Sequence, residues 1–122
     1  MNILKVPLPE QAGEDSVSFL PLLKGETPES FREGIIHHSY NGIFAIRCGE
    51  WKLLACRGSG GWSLSEDAAA ANPIVQLYNL ADDPMEKNNL YDSHRTKADE
   101  MMKLLNHYCQ SDRSVSISAV QR

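Results

Sequence analysis

Between Gly34 and Cys56 the chain is cut into short β-prone runs by two tight-turn signals, and that spacing dictates an antiparallel meander. Ile35-Ile36-His37-His38 is the first run, Asn41-Gly42 is a strong hairpin turn pair, and Ile43-Phe44-Ala45-Ile46-Arg47 is the second. Cys48-Gly49-Glu50 has room only for a reversal, with Gly49 free to take positive φ, so Trp51 to Cys56 returns as a third strand. Val75 to Leu80 alternates with period two and supplies a fourth. That alternation puts Val75, Leu77 and Asn79 on one face and Gln76, Tyr78 and Leu80 on the other.

The period then changes. Ala98, Met101, Met102, Leu105 and Tyr108 recur at helical spacing and predict a helix over about residues 94–110, capped by Ser93. The stripe is one face wide, so the helix is expected to lie on the sheet. Just before it, Asp83-Pro84-Met85-Glu86 places a carboxylate at the N-cap, Pro at N1 and Glu at N3, the signature of a helical turn. The fold class is α+β: a four-stranded antiparallel sheet with a C-terminal helix packed on one face. Residues 1–33 form a coil-rich lead-in, because Pro7, Pro9, Pro21 and Pro28 interrupt any long helix. Within it Val17, Phe19, Leu20, Leu22 and Leu23 suit one irregular turn ended by Gly25. Residues 34–114 are the folded subdomain and 115–122 a polar, flexible tail.

With 122 residues the chain is sized for one domain, and a net charge of −4 without a basic cluster argues against a nucleic-acid surface. No apolar run is long enough to span a membrane, and residues 1–10 lack the apolar centre of a signal peptide, which leaves the compartment open. Cys48, Cys56 and Cys109 have no CxxC spacing and do not supply a zinc site. They read as free thiols, with a Cys48–Cys56 bridge across adjacent strands as the alternative.

Few residues carry chemistry. His37 and His38 are adjacent on a strand, so at most one is expected to look into a given pocket. Their roles divide among plain structure, lining a polar pocket and metal binding, and no HxH or HxxxH companion strengthens the last. His94 and His107, on the last helix, are expected to face solvent. Gly58-Ser59-Gly60-Gly61 has the glycine density of a phosphate cradle but lacks the strand-to-helix context and a following Lys-Ser or Lys-Thr. It suits a flexible loop around Trp62 that contacts another domain or an anionic ligand. No Ser, His and acid arrangement stands out, so the residues describe a small module without a visible catalytic constellation.

The order of the segments resembles the C-terminal subdomain of the sulfatase family, of the arylsulfatase type. The resemblance runs over about residues 6–114 and is carried by Leu8-Pro9-Glu10, Ser18-Phe19-Leu20-Pro21, Ile36-His37-His38-Ser39 and Gly42 through Arg47. It continues through Trp51-Lys52-Leu53, the Gly58–Ser63 loop, Gln76 to Leu80, Asp83-Pro84-Met85-Glu86, Asn89-Leu90 and Asp112-Arg113-Ser114. It implies the same four-stranded sheet with a helix packed on it.

The resemblance also implies that chemistry lies elsewhere. Full-length relatives hydrolyse sulfate esters with a formylglycine made from Cys or Ser in a Cys/Ser-x-Pro/Ala-x-Arg motif and with a calcium ion. Here Cys109-Gln110-Ser111-Asp112-Arg113 keeps the Cys-to-Arg spacing but has Ser at the third position, and Cys48 and Cys56 fail the motif. The expectation is therefore a C-terminal sulfatase fragment with no catalytic residue, no metal ligand and no cofactor of its own, inactive alone. Its implied role is to close the active-site cleft of the full-length enzyme and help select the substrate. The implied substrate-binding candidates are His37, His38, Arg47, Lys52 and Trp62. Expected partners are a sulfatase catalytic domain, a sulfated sugar and a second copy of the chain, docked through the apolar lead-in. A stand-alone module binding sulfated glycans or a protein is the alternative. Relatives of this type are often exported.

Overall fold

The computed structural model describes residues 6, 7, 9, 12–27 and 32–115. In chain order its elements are α1 (Leu20–Leu23), β1 (Ile35–His38), β2 (Phe44–Cys48), β3 (Trp51–Leu54), β4 (Gln76–Asn79) and α2 (Arg95–Gln110). The chain divides into two compact units, residues 34–107 and residues 1–33 with 108–122.

In the unit of residues 34–107 the strand order is β1-β2-β3-β4 and every neighbouring pair is antiparallel. The meander expected from the Asn41-Gly42 and Cys48-Gly49-Glu50 turns is the one observed. Register aligns Ile36 with Ile46, Ile46 with Leu53 and Leu53 with Leu77, so one apolar row crosses the sheet. Ile46, Leu53 and Leu77 are completely buried. On α2 the buried positions are Ala98, Met101 and Leu105, spaced at three and four residues, so the stripe predicted from the sequence is the face withdrawn from water. Each such large side chain, fully buried, contributes about 1.5–3 kcal/mol through area removed from water. The opposite sheet face is mixed: register puts His37, Ala45, Leu54 and Gln76 in one row and Ile35, Arg47, Lys52 and Tyr78 in the next.

Several local expectations are corrected. Asp83-Pro84-Met85-Glu86 is a hydrogen-bonded turn and not a helical one: Asp83 Oδ2 accepts the Asn88 N–H at 2.7 Å, and Glu86 has a φ of 55° that no right-handed helix contains. Ser93 does not cap α2. Its hydroxyl donates back to the Leu90 carbonyl at 3.1 Å, and the first helical bond runs from Ala98 N–H to the His94 carbonyl. Tyr78, on the face it shares with Gln76, is buried as Leu77 is on the other, so both faces of β4 are covered. Cys48, Cys56 and Cys109 are free thiols, as expected, and the alternative Cys48–Cys56 bridge does not form.

In the other unit α1 is a single helical turn with Pro21 in its first positions, where a missing N–H costs nothing. The Gly25 N–H donates to the Leu22 carbonyl at 3.0 Å and, with φ of 79°, ends the turn as expected. Asp15 ties this segment together: its Oδ1 accepts the Ser114 N–H at 3.0 Å and the Ser114 hydroxyl at 2.7 Å. Those bonds hold the Asp15 carboxyl below its ordinary pKa. Arg32 also donates to the Asp15 carbonyl at 2.7 Å. Leu8, Glu10, Pro28 and most of the expected tail lie outside the described residues.

Candidate functional site

A shallow cleft of about 170 Å³ opens on the mixed face of the sheet, lined among others by His37, His38, Lys52, Cys56, Ser59 and Gly60. Its floor is strand and its wall is the glycine-rich loop after β3, so its shape depends on how that loop is held.

The loop is fixed by its own polar groups. Glu66 accepts the backbone N–H groups of Arg57 at 3.2 Å and Gly58 at 3.0 Å. The Ser59 hydroxyl oxygen accepts from Trp62, Ser63 and Leu64 at 3.2, 2.7 and 2.8 Å. These donors are the ones a phosphate cradle would offer, and here they are spent within the loop. From β4, Gln76 Nε2 donates to the carbonyls of Cys56 and Gly58, both at 2.8 Å, while Tyr78 donates its hydroxyl to Gln76 Oε1 at 2.7 Å. Burial pushes the Tyr78 hydroxyl above its ordinary pKa, with the Glu86 charge acting the same way, so it stays a neutral donor.

Gly60 and Gly61 bring the loop against the turn between β1 and β2. Their φ values are 67° and 94°, and a Cβ at either would fall inside van der Waals contact of Ser39 and Asn41 respectively. The Asn41 N–H donates to the Gly60 carbonyl at 3.2 Å across this junction. Only glycine meets both demands. The residues next to the junction, Tyr40 and Trp62, are 83% and 84% exposed, the two most open large side chains described.

Of the residues singled out in the sequence, His37, His38 and Lys52 come together in the cleft. Against the expectation of one, both histidines border the cleft: His38, the last residue of β1, pairs with Phe44, and its Nδ1 donates to the Ser39 carbonyl at 2.9 Å. Desolvation, reinforced by the Lys52 charge, holds His37 below its ordinary pKa and favours the neutral ring. Arg47 is exposed, donates from Nε to the Gly49 carbonyl at 3.0 Å and does not line the cleft. Trp62 stands outside the lining as well. His94 is exposed, with its ring 5.3 Å from that of Trp51.

Sequence reasoning missed two groups. Cys56 lies in the cleft lining as a buried thiol, raised above its ordinary pKa by desolvation and by the Glu66 charge. Glu86 pairs with Lys52, Nζ to Oε1 2.6 Å, an ion pair bridging a sheet strand and a distant turn that no local pattern announces. Among the described residues no three of His, Cys, Asp and Glu converge as metal ligands. Among the same residues no helix is long and apolar enough to cross a membrane.

No family model matches the chain. It is similar to an N-acetylgalactosamine-6-O-sulfatase of Bacteroides thetaiotaomicron, 37% identical over 106 residues that make up 84% of this chain and 20% of that protein. It is also similar to a solved sulfatase structure from work on glycosaminoglycan metabolism by Bacteroides thetaiotaomicron, with a TM-score of 0.68 and 33% identity over 89% of this chain and 23% of the solved one. The chain thus spans about one fifth of the length of the relatives it matches.

Proposed function

We infer that this sulfatase-related chain acts as the C-terminal subdomain of its family does, forming a wall of the substrate cleft and helping to select the sugar, without carrying the sulfate-ester chemistry. The observation that supports this most is the convergence of His37, His38 and Lys52 in one cleft on the face of the sheet turned away from its apolar core. Imidazole and ammonium donors suit sulfate and hydroxyl groups, and Trp62, open at the loop, suits stacking on a sugar ring. Arg47 adds positive charge on the same face. A formylglycine and calcium, with the partner groups that hold them, are assigned to a catalytic domain outside these residues.

The relative acts on N-acetylgalactosamine 6-O-sulfate according to its name, which makes that sugar the first probe. Titration of the chain with N-acetylgalactosamine 6-sulfate, followed by amide NMR shifts, is expected to move residues 37–39, 52 and 58–62. Unsulfated N-acetylgalactosamine is expected to bind more weakly. Shifts spread elsewhere, or equal binding of both sugars, would refute the role. The chain alone is expected to leave an aryl sulfate intact with or without calcium, because ground-state binding by His and Lys does not lower the chemical barrier.

A stand-alone glycan-binding module is the second reading, and one observation favours it: every residue lining the cleft lies between His37 and Gly60, within one compact unit. Sugar binding by the chain without any catalytic domain supports it, and binding only after addition of a catalytic domain refutes it. We assign the exposed Phe19, Leu22 and Leu23 of the α1 region to contact with a catalytic domain, or with a second copy of the chain when none is present. Light scattering that shows a monomer at high concentration would count against the second copy.

A further inference from the structure

We propose that Glu86 is a built-in competitor for the anion that the cleft binds: it holds the Lys52 ammonium from outside, and a sulfate entering the cleft draws Lys52 away from it. This rests on the cleft being the sugar site proposed above.

The two roles of Lys52 carry the proposal. Its side chain lines the cleft, yet its Nζ lies 2.6 Å from Glu86 Oε1, and Glu86 is absent from the cleft lining. The pair is partly shielded, with side chains 19% and 31% exposed, so the attraction is less screened than at an open surface. Lys52 also sits directly opposite Arg47 in the β2–β3 register, where two like charges repel. Some anion is needed there, and the fold supplies Glu86. The other charged or titratable group facing this spot is His37, which senses Lys52, Glu86 and Arg47 together.

The backbone at Glu86 points the same way. It is the one non-glycine residue among those described with positive φ, 55°, a conformation an L side chain adopts at a penalty. Asp83 fixes it there: the Asp83 N–H donates to the Asn79 carbonyl at 2.8 Å, the Glu86 N–H to the Asp83 carbonyl at 3.1 Å, and the Asn88 N–H to Asp83 Oδ2 at 2.7 Å. A glycine or asparagine would serve this turn with less strain. A long acidic side chain there gains only by what its tip reaches, and strain of this kind clusters at binding sites. The turn's backbone is held by its own hydrogen bonds and the Lys52 contact is made only at the Glu86 side-chain tip, so releasing Lys52 breaks none of the bonds that hold the turn.

The test titrates N-acetylgalactosamine 6-sulfate into the whole chain and its Glu86→Gln, Glu86→Gly and Lys52→Met variants, read by amide NMR shifts of residues 37–60. Glu86→Gln is expected to bind about two- to five-fold tighter, the range an ion pair of this exposure supports. Glu86→Gly, which also removes the backbone strain, is expected to show the same gain even if Glu86→Gln loses stability. Adding Lys52→Met to either is expected to erase it. Wild-type binding left unchanged or weakened by both Glu86 variants overturns this proposal and leaves the proposed function standing. No binding by wild type or any variant overturns both.

Discussion

Asn89 stands in for a missing fifth strand beside β4: its Oδ1 accepts the Leu77 N–H at 3.0 Å and its Nδ2 donates to the Val75 carbonyl at 3.3 Å. The Leu90 N–H completes the pairing on the Leu77 carbonyl at 2.8 Å. An edge strand otherwise offers these groups to any passing chain. Asn89→Ala is expected to lower stability by about 1 kcal/mol, since water replaces only part of what the amide supplies. Urea denaturation followed by Trp fluorescence measures it, and an unchanged midpoint would contradict the bridging role.

Gly60→Ala meets two obstacles together, a positive φ and the side chain of Ser39. The expected loss is about 1–3 kcal/mol, with faster amide exchange across residues 57–66. Gly25→Ala shares the positive φ but has open space around it, so its effect is expected to be smaller. Equal effects at the two positions would remove the close loop contact from the explanation.

The sheet was readable in advance because its signals are local. Asn41-Gly42 and Gly49 fix two reversals, and β1 to β4 fall within or one residue beyond the expected runs. The helix was readable because Ala98, Met101 and Leu105 repeat on one face. The cleft was only half readable. His37 and Lys52 stand out in the sequence as chemical groups, but Glu86, Gln76 and Cys56 owe their roles to bonds made across long sequence separations. Asp83 is ambiguous in the sequence for a different reason: a carboxylate before Pro caps a helical turn or closes an irregular one with equal ease, and the positive φ at Glu86 decides between them.

Thiol reactivity is expected to follow exposure and charge. Cys109 is exposed, whereas Cys56 is buried and its thiol is pushed up by desolvation. A thiol reagent at pH 8 should label Cys109 promptly and Cys56 only on unfolding, as read by peptide mass spectrometry. Early labelling of Cys56 would mean that the loop carrying Gly58 opens readily.

Acid is expected to weaken the fold through His37 and Asp15 in turn. The folded pKa of His37 lies below the ordinary 6.5, so the unfolded chain binds more protons as pH falls through that value and stability declines toward the lower folded pKa. Asp15 is depressed below 3.8, so its contribution is present above that value and is lost as pH falls through the folded one. His37→Gln should flatten the first decline and Asp15→Asn the second in melting temperatures taken from pH 8 to pH 2. A profile unaltered by either variant would show that other groups control the acid limb.

Because β1, β2, β3 and β4 each pair only with the strand next in sequence, the sheet can assemble by zipping outward from one hairpin. The β2–β3 hairpin closes over Gly49 and Glu50 and asks for little chain entropy, which makes it the natural nucleus. The slow entropic step is then the closure from Leu54 to Gln76, and the loop spanning it is the one that walls the cleft. The segment that completes the binding surface would accordingly be the last to find its place during folding and the first to leave it on unfolding.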